Sequence, residues 1–287
     1  MECYEKYFIH NFKLKQSSVF EELVLSSGIS IYEVIKIEQG IPLFLENHLN
    51  RLFSSADLSN LSINESYCDL EKLISELINR NKATEGKIKL VIRFDKNSRS
   101  NEKDLLIYFT PYSYPTADDY RFGVKIGLCK AVRTNPNAKI LNTEARNKAN
   151  EVIAKSTFFE VLLVDDHGFI TEGSKSNIFF IKDSQLITPP ESAVLNGVTR
   201  KNILKICKQN KIDLLEEKIS ISDIKNMDSA FLTGTSLNVL PVHFIEEIEF
   251  KTENKILKRL VKLYELSVVE YISLKKLESG EITQANL

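Results

Sequence analysis

The stretch VLLVDDHGFITEGSKSNIFFI, residues 161–181, decides how the rest of the chain is read. Its apolar runs are of strand length, and Asp165, Asp166, His167 and Gly168 supply the turn chemistry of a hairpin tip. A tip accounts for its own polar residues. The second polar cluster, Glu172, Gly173, Ser174, Ser176 and Asn177, lies beyond Phe169 and Ile170 and needs another explanation. It is either an irregularity of a solvated surface or a binding site whose carboxylate is Glu172.

The chain around it has 287 residues, more than one hydrophobic core usually organises, which makes two unequal domains the working number. An apolar fraction of 43% and a charged fraction of 27% are those of a globular protein. The net charge is −1, with lysines and arginines spread among acids, so the electrostatic footprint of a nucleic-acid binder is missing. No apolar run approaches bilayer length, and MECYEKYFIHNFKLKQ has no apolar stretch of the signal-peptide kind; the expectation is a cytoplasmic protein without a membrane partner. Cys3, Cys68, Cys129 and Cys207 are far apart, as are His10, His48, His167 and His243, so no spacing suggests a metal site or a disulfide framework.

Along the chain, Ile29–Ile37 and Pro42–Leu45 read as strands either side of a Glu38-Gln39-Gly40 turn. His48–Leu58 and Asp69–Asn81 repeat apolar residues at helical spacing, and Lys87–Phe94 and Leu105–Thr110 read as strands. PYSYPTADDY, with two prolines and two aspartates, is the candidate linker, so the expected division is a small domain over 1–114, a linker over 115–120 and a large domain over 121–287. Beyond it the pattern predicts a strand at Phe122–Ala131, a helix at about Thr143–Ser156, the hairpin, a short strand near Gln185–Ile187 and a helix opening at Thr199. A strand at Asp213–Ile219, a short helix near Ile221–Met227, two strands within Ala230–Ile245 and a helix from Thr252 to about Leu274 follow. Strands and helices interleave without a regular βαβ rhythm, which indicates an α+β (mixed) fold, and there is neither a GxGxxG nor a P-loop signature.

Four separated segments carry candidate chemistry: Lys139 in NPNAKILN, Glu172, LNGVTR at 195–200, and LTGTS at 232–236. Taken singly each is ordinary, since a lysine in this composition is a solvated side chain and LNGVTR is equally a Thr-capped helix start. LNGVTR nevertheless precedes an amphipathic pattern, and unpaired N–H groups at Gly197, Val198 and Thr199 would face a phosphate at the positive end of a helix. LTGTS offers two hydroxyls, Thr235 and Ser236, beside a glycine that admits a close ligand.

Together the segments resemble the class IV, fold-type IV pyridoxal-phosphate enzymes: branched-chain and D-amino-acid aminotransferases and aminodeoxychorismate lyases. The resemblance begins in IYEVIKIEQGIPLFLENHLNRL at 31–52, continues through KILN, VLLVDDHGFITEGSKSNIFFI, LITPP, LNGVTR and FLTGTSLNVLPV, and covers roughly residues 28–245. It implies a small N-terminal α/β domain and a larger, β-rich C-terminal domain with helices. It makes Lys139 the Schiff-base lysine, Arg51 a phosphate ligand and Glu172 the partner of the pyridine nitrogen. Val198, Thr199 and Thr235 would complete the phosphate cup. A carboxylate against that nitrogen favours its protonated form, which draws electrons from the substrate's Cα, and a freed lysine amine can then carry the proton.

The resemblance implies amino-group exchange between an amino acid and a 2-oxo acid in a homodimer, with the lyase reaction as the alternative. Lys89 and Arg99 stand where the lyases carry basic residues facing a dicarboxylate, whereas Glu33 and Val34 occupy the place of their Thr-Thr pair. Tyr32 matches the D-amino-acid enzymes, where that tyrosine faces the substrate, and Ser236 is a further substrate candidate. A cofactor carrier without turnover is the reading from another class, and the joint presence of Lys139, Glu172 and Arg51 speaks against it.

Overall fold

The computed structural model describes residues 3–20, 28–94, 103–141 and 143–280. It separates into a first unit of Met1–Ser113, Ala138–Leu141 and Val268–Leu287, and a second of Tyr114–Asn137 and Asn142–Ser267.

In the first unit, β1 (Tyr7–His10), β2 (Lys13–Gln16), β3 (Ile29–Glu38), β4 (Ile41–Pro42), β5 (Glu85–Phe94) and β6 (Lys103–Phe109) form one sheet in the order β2-β1-β6-β5-β3-β4. The helices α1 (Leu45–Leu58) and α2 (Tyr67–Asn81) belong to the same unit. Period-two alternation decides which way β3 faces: Ile31, Glu33, Ile35 and Ile37 are fully buried, while Tyr32, Val34 and Lys36 between them are half-buried. The isoleucines pack with Leu49, Leu52, Ile74 and Leu77 of the helices in one core, and Val91, Leu106 and Tyr108 pack with Phe8 and Phe20 in another. Glu33 is thus a carboxylate in a slot that the pattern reserves for an isoleucine. An ion there stands only if it is paired, because stripping one of water costs several kcal/mol.

One hairpin is unexpected, one expected strand is shorter, and one expected loop lies outside the described residues. The β1–β2 hairpin is not legible in KLKQ, which has no apolar alternation. Its two turn residues, Asn11 and Phe12, both have positive φ (46° and 63°), the backbone of the tight turn that matches strand twist. The strand expected at Pro42–Leu45 stops at Pro42, because Phe44 turns left-handed (φ 51°, ψ 40°) and Leu45 opens α1. Arg99, and with it the loop expected between β5 and β6, lies outside the described residues.

In the second unit, α3 (Ala117–Phe122) is a short helix capped by Thr116, and Gly123 (φ 79°) turns the chain into β7 (Val124–Lys130), so Phe122 ends a helix instead of opening a strand. Then come α4 (Glu144–Ala154), β8 (Glu160–Val164), β9 (Phe169–Gly173), β10 (Asn177–Lys182), β11 (Gln185–Thr188) and α5 (Val198–Gln209). The single strand expected at Asp213–Ile219 is two, β12 (Leu214–Glu216) and β13 (Ile219–Ser220), one pairing β11 and the other β9. A 3-10 turn at Ile221–Asn226, β14 (Ser229–Gly234), β15 (Asn238–Ile245) and β16 (Ile248–Glu249) follow, and the last helix is α6 (Lys255–Glu278), whose residues from Val268 on belong to the first unit. The sheet runs β12-β11-β10-β14-β15-β7-β8-β9-β13 with β16 on β15, mixing parallel and antiparallel neighbours as an α+β fold does.

Candidate active site

The first unit gathers Tyr32, Glu33, His48, Arg51, Lys89 and Lys139. The inward face of α1 carries the polar residues His48, Arg51 and Ser55 among Leu45, Leu49, Leu52 and Ala56, all buried. Two of them meet Glu33. Arg51 donates from Nε to Oε1 at 2.7 Å and from Nη2 to Oε2 at 2.7 Å, and His48 Nδ1 donates to Oε2 at 2.6 Å. Exposures of 0% for Glu33, 1% for His48 and 6% for Arg51 make this a closed ionic network.

Burial alone would push the Glu33 carboxyl up, but Arg51, by its charge and hydrogen bonds, and then His48 hold it down at about 2. For His48, burial dominates and lowers its pKa, opposed by Glu33 and helped by the charges of Arg51 and Lys139, so the imidazole is neutral and its one proton is on Nδ1. Both folded-state values lie below the unfolded ones, so the unfolded chain takes up the extra protons. The stability is therefore present at neutral pH and falls with acid, first as His48 titrates below about 6.5, then between about 4.5 and about 2 as Glu33 titrates. The Glu33 part amounts to about 3 kcal/mol. Thermal melting from pH 8 to pH 2.5 should therefore fall more steeply below pH 4.5 in the wild type than in Glu33→Gln, which starts lower because Arg51 has lost its anion. Parallel curves would remove Glu33 as the source.

Lys139 lies beside the part of β3 that β4 does not cover. Ile31 bridges to Ile140, Tyr32 N–H donates to Lys139 C=O at 3.1 Å, and Leu141 N–H donates to Ser30 C=O at 2.9 Å. The segment supplies strand-like partners to an edge that would otherwise be open. Lys139 Nζ is 4.5 Å from the centroid of the Tyr32 ring. Lys89 is on the same face, opposite Val34 on β3 and Tyr108 on β6, with Nζ 6.0 Å from the Tyr32 ring and 5.7 Å from the Tyr108 ring.

The second unit gathers Glu172, Val198, Thr199, Thr235 and Ser236. Glu172 follows Ile170 on the inward register of β9 and is 2% exposed. Its Oε2 accepts from Leu195 N–H at 3.1 Å and Asn177 Nδ2 at 3.5 Å, while Arg133 Nε is 3.0 Å from Oε1. Asn177 also donates to Leu195 C=O at 2.9 Å, so one amide ties the carboxylate to the loop that enters α5. A Cβ on Gly197 in that loop would stand 2.1 Å from Asn177 Oδ1 and would push that amide off its present position. Glu160, also buried, accepts from Ser174 Oγ at 2.5 Å, Ser176 Oγ at 3.0 Å and Lys175 N–H at 3.1 Å, and so fixes the serine-rich turn after Glu172. The polar cluster of 172–177 is therefore a buried scaffold, not a solvated edge.

At the start of α5 the first turn contains no acid and Gly197 offers no side-chain cap. The N–H groups of Val198, Thr199 and Arg200 find no acceptor among the described residues; the next one, of Lys201, bonds Gly197 C=O at 2.9 Å. Thr233 Oγ1, on the strand paired with Asn177, is likewise buried without a partner, and Thr235 and Ser236 sit in the half-buried turn between β14 and β15. A buried carboxylate already paired with Arg133 and a helix start that seeks an anion are thus joined through Leu195 and Asn177.

A profile of the amino-transferase class IV family matches residues 30–245. A D-alanine aminotransferase of Bacillus licheniformis is 30% identical over 237 residues, which cover 76% of this chain and 80% of that one. The chain belongs to the class IV aminotransferase family. Its fold is that of a branched-chain aminotransferase from Thermoproteus uzoniensis solved with norvaline (TM-score 0.81, 21% identity, 93% of this chain and 96% of that one). It is also that of a putative 4-amino-4-deoxychorismate lyase from Legionella pneumophila (TM-score 0.74, 23% identity, 86% and 97%). Enzymes of this family work with pyridoxal 5'-phosphate. The donor set suits that molecule: the acceptorless N–H groups of α5 match its phosphate, and the buried Glu172 matches a protonated ring nitrogen.

Of the contacts around these residues, sequence reading missed the pairing of His48 and Arg51 with Glu33, the approach of Arg133 to Glu172, and Ser55. Glu33 had a signal, its place on an isoleucine register. Ser55 and Arg133 had none, because nothing in FSSAD or AVRTN sets one residue apart.

Proposed function

We propose that this class IV aminotransferase moves an amino group between an amino acid and a 2-oxo acid with Lys139 as its catalytic amine. When bound, the cofactor provides an aldehyde for the amine and a ring that withdraws electrons from the substrate's Cα. Lys139, with its peptide held by Tyr32, presents Nζ as the covalent anchor and, once released, as the base that takes the Cα proton. Glu172 would keep the ring nitrogen protonated, and Arg133 and the Leu195 N–H fix where its carboxylate points. The N–H groups of Val198 and Thr199 and the hydroxyl of Thr235 would bind the phosphate, together with the guanidinium of Arg51, which at the same time holds Glu33 through Nε and Nη2. Tyr32, Lys89, Arg99 and Ser236 contact the substrate.

The observation that carries the reading is the pairing, within one unit, of a buried carboxylate with a helix start whose N–H groups lack acceptors. A phosphate suits the helix start, and a protonated ring nitrogen on the same small molecule is compatible with a carboxylate that Arg133 already holds in place. The same reading takes residues 1–114 and 121–287 as the small and large domains, joined at 115–120, and makes the protein a cytoplasmic homodimer.

Mixing the holoenzyme with L- and D-amino acids, and separately with aminodeoxychorismate, tests it. The expected result is conversion of the cofactor's absorbance to that of the pyridoxamine form with at least one amino acid. Pyruvate release from aminodeoxychorismate with an unchanged cofactor would establish the lyase instead. Glu33 speaks against the lyase, because the position where those enzymes carry a hydroxyl is closed by the ionic network with Arg51 and His48.

A further inference from the structure

Lys139 is held by more than its edge of β3. Ser55, fully buried on α1, donates its hydroxyl proton to Arg51 C=O at 2.8 Å, and its Oγ accepts from Lys139 N–H at 3.1 Å. The peptide unit of Lys139 is thus gripped at both ends: its N–H by a helix side chain and its C=O by Tyr32 N–H at 3.1 Å. Apart from the bridge at Ile140, the segment from Ala138 to Leu141 belongs to no helix or strand, so no ladder supplies an acceptor for that N–H. Ser55 supplies it, from the same helix that carries Arg51 one turn earlier.

We propose that Ser55 is a positioning residue for the Lys139 amine, fixing the Cα from which the side chain reaches over the Tyr32 ring. This rests on the reading of Lys139 as the catalytic amine. The serine oxygen makes both bonds at once, which ties the segment to α1, while the Tyr32 and Ser30 bonds tie it to β3. Proton transfer is sensitive to such placement: a shift of about 1 Å can slow a reaction about 10²-fold. α1 itself gains little from this serine, since a hydroxyl bonding back to the carbonyl four residues earlier slightly weakens a helix and alanine is the better helix former.

The test compares Ser55→Ala and Ser55→Cys with the wild-type holoenzyme in the amino-acid half-reaction, and measures the affinity of each apoenzyme for two forms of the cofactor. Pyridoxal phosphate can bond covalently to a lysine amine and pyridoxamine phosphate cannot, so the ratio of their affinities reports the placement of Lys139 apart from phosphate binding. For Ser55→Ala the expected result is a half-reaction slowed about tenfold or more at saturating amino acid, with the substrate concentration for half-maximal rate little changed. Pyridoxal phosphate binding should weaken while pyridoxamine phosphate binding stays within about twofold. Cysteine, a weak acceptor, should fall between alanine and serine. Equal weakening of both cofactor forms, or an unchanged rate, overturns the role of Ser55. Borohydride reduction followed by peptide mapping separates this from a failure of the underlying reading, because a label at a lysine other than Lys139 would remove Lys139 itself.

Discussion

Lys139→Ala is expected to slow the amino-acid half-reaction by about 10³-fold or more, the scale on which enzymes depend on a positioned proton carrier. The backbone at this residue is held by groups that the substitution leaves alone, Ser55 Oγ on the N–H and Tyr32 N–H on the carbonyl. Alanine keeps both bonds, so a folded protein with its α5 donors intact should be recovered. Cofactor should remain, bound without a covalent link, and a borohydride-reduced sample should carry no label at residue 139. Lys139→Arg sharpens the result, since it keeps a cation near Tyr32 but has no amine that can be neutral at working pH. If either variant turns over at the wild-type rate, the amine is elsewhere. If the alanine variant melts at the wild-type temperature and retains cofactor but is inert, chemistry and not structure has been removed.

The architecture was legible wherever side-chain period and length agreed. ISIYEVIKIE alternates cleanly and becomes a ten-residue strand, and the apolar spacing after Ser66 becomes α2, whose start Ser66 and Asp69 cap reciprocally. The elements that escaped are those whose form is set from outside. β2 is a strand because β1 pairs with it across a left-handed turn, not because KLKQ prefers to extend. The break between β12 and β13 exists because β11 claims one half and β9 the other, a competition that no local pattern records.

The same division runs through the site. Glu172 stood out because a carboxylate after Phe169 and Ile170 has no place at a hairpin tip, and the structure puts it on an inward register beside Ile170. Glu33 is the same kind of anomaly, on the inward register between Ile31 and Ile35. Period two can find both, but it cannot find the arginine that answers each. Arg51 reaches Glu33 from a helix 18 residues on, and Arg133 reaches Glu172 from the loop after β7. These pairings depend on how helices and loops return to the sheet, which is tertiary geometry.

Glu172→Gln separates the two roles of a buried carboxylate, and the expected loss is about 10²- to 10³-fold in Cα deprotonation, the scale found when a preorganised electrostatic partner is removed. On the proposed reading the neutral amide would no longer favour a protonated ring nitrogen, while the N–H groups at the start of α5 are unchanged, so cofactor retention should fall far less than rate. Structure suffers as well. Glutamine must turn its NH2 toward either the Leu195 and Asn177 donors or Arg133, and whichever it meets, donor faces donor. Arg133, which is half-buried, also loses its anion, at a cost below the roughly 3–5 kcal/mol of a fully buried pair because its side chain still reaches solvent. Because neutralising both partners is far less disruptive than neutralising one, Arg133→Gln added to Glu172→Gln should recover much of the melting temperature. It should recover none of the rate, because the proton on the ring nitrogen still has no carboxylate to hold it. A double variant that regains both stability and turnover would show that the carboxylate at 172 serves the fold alone.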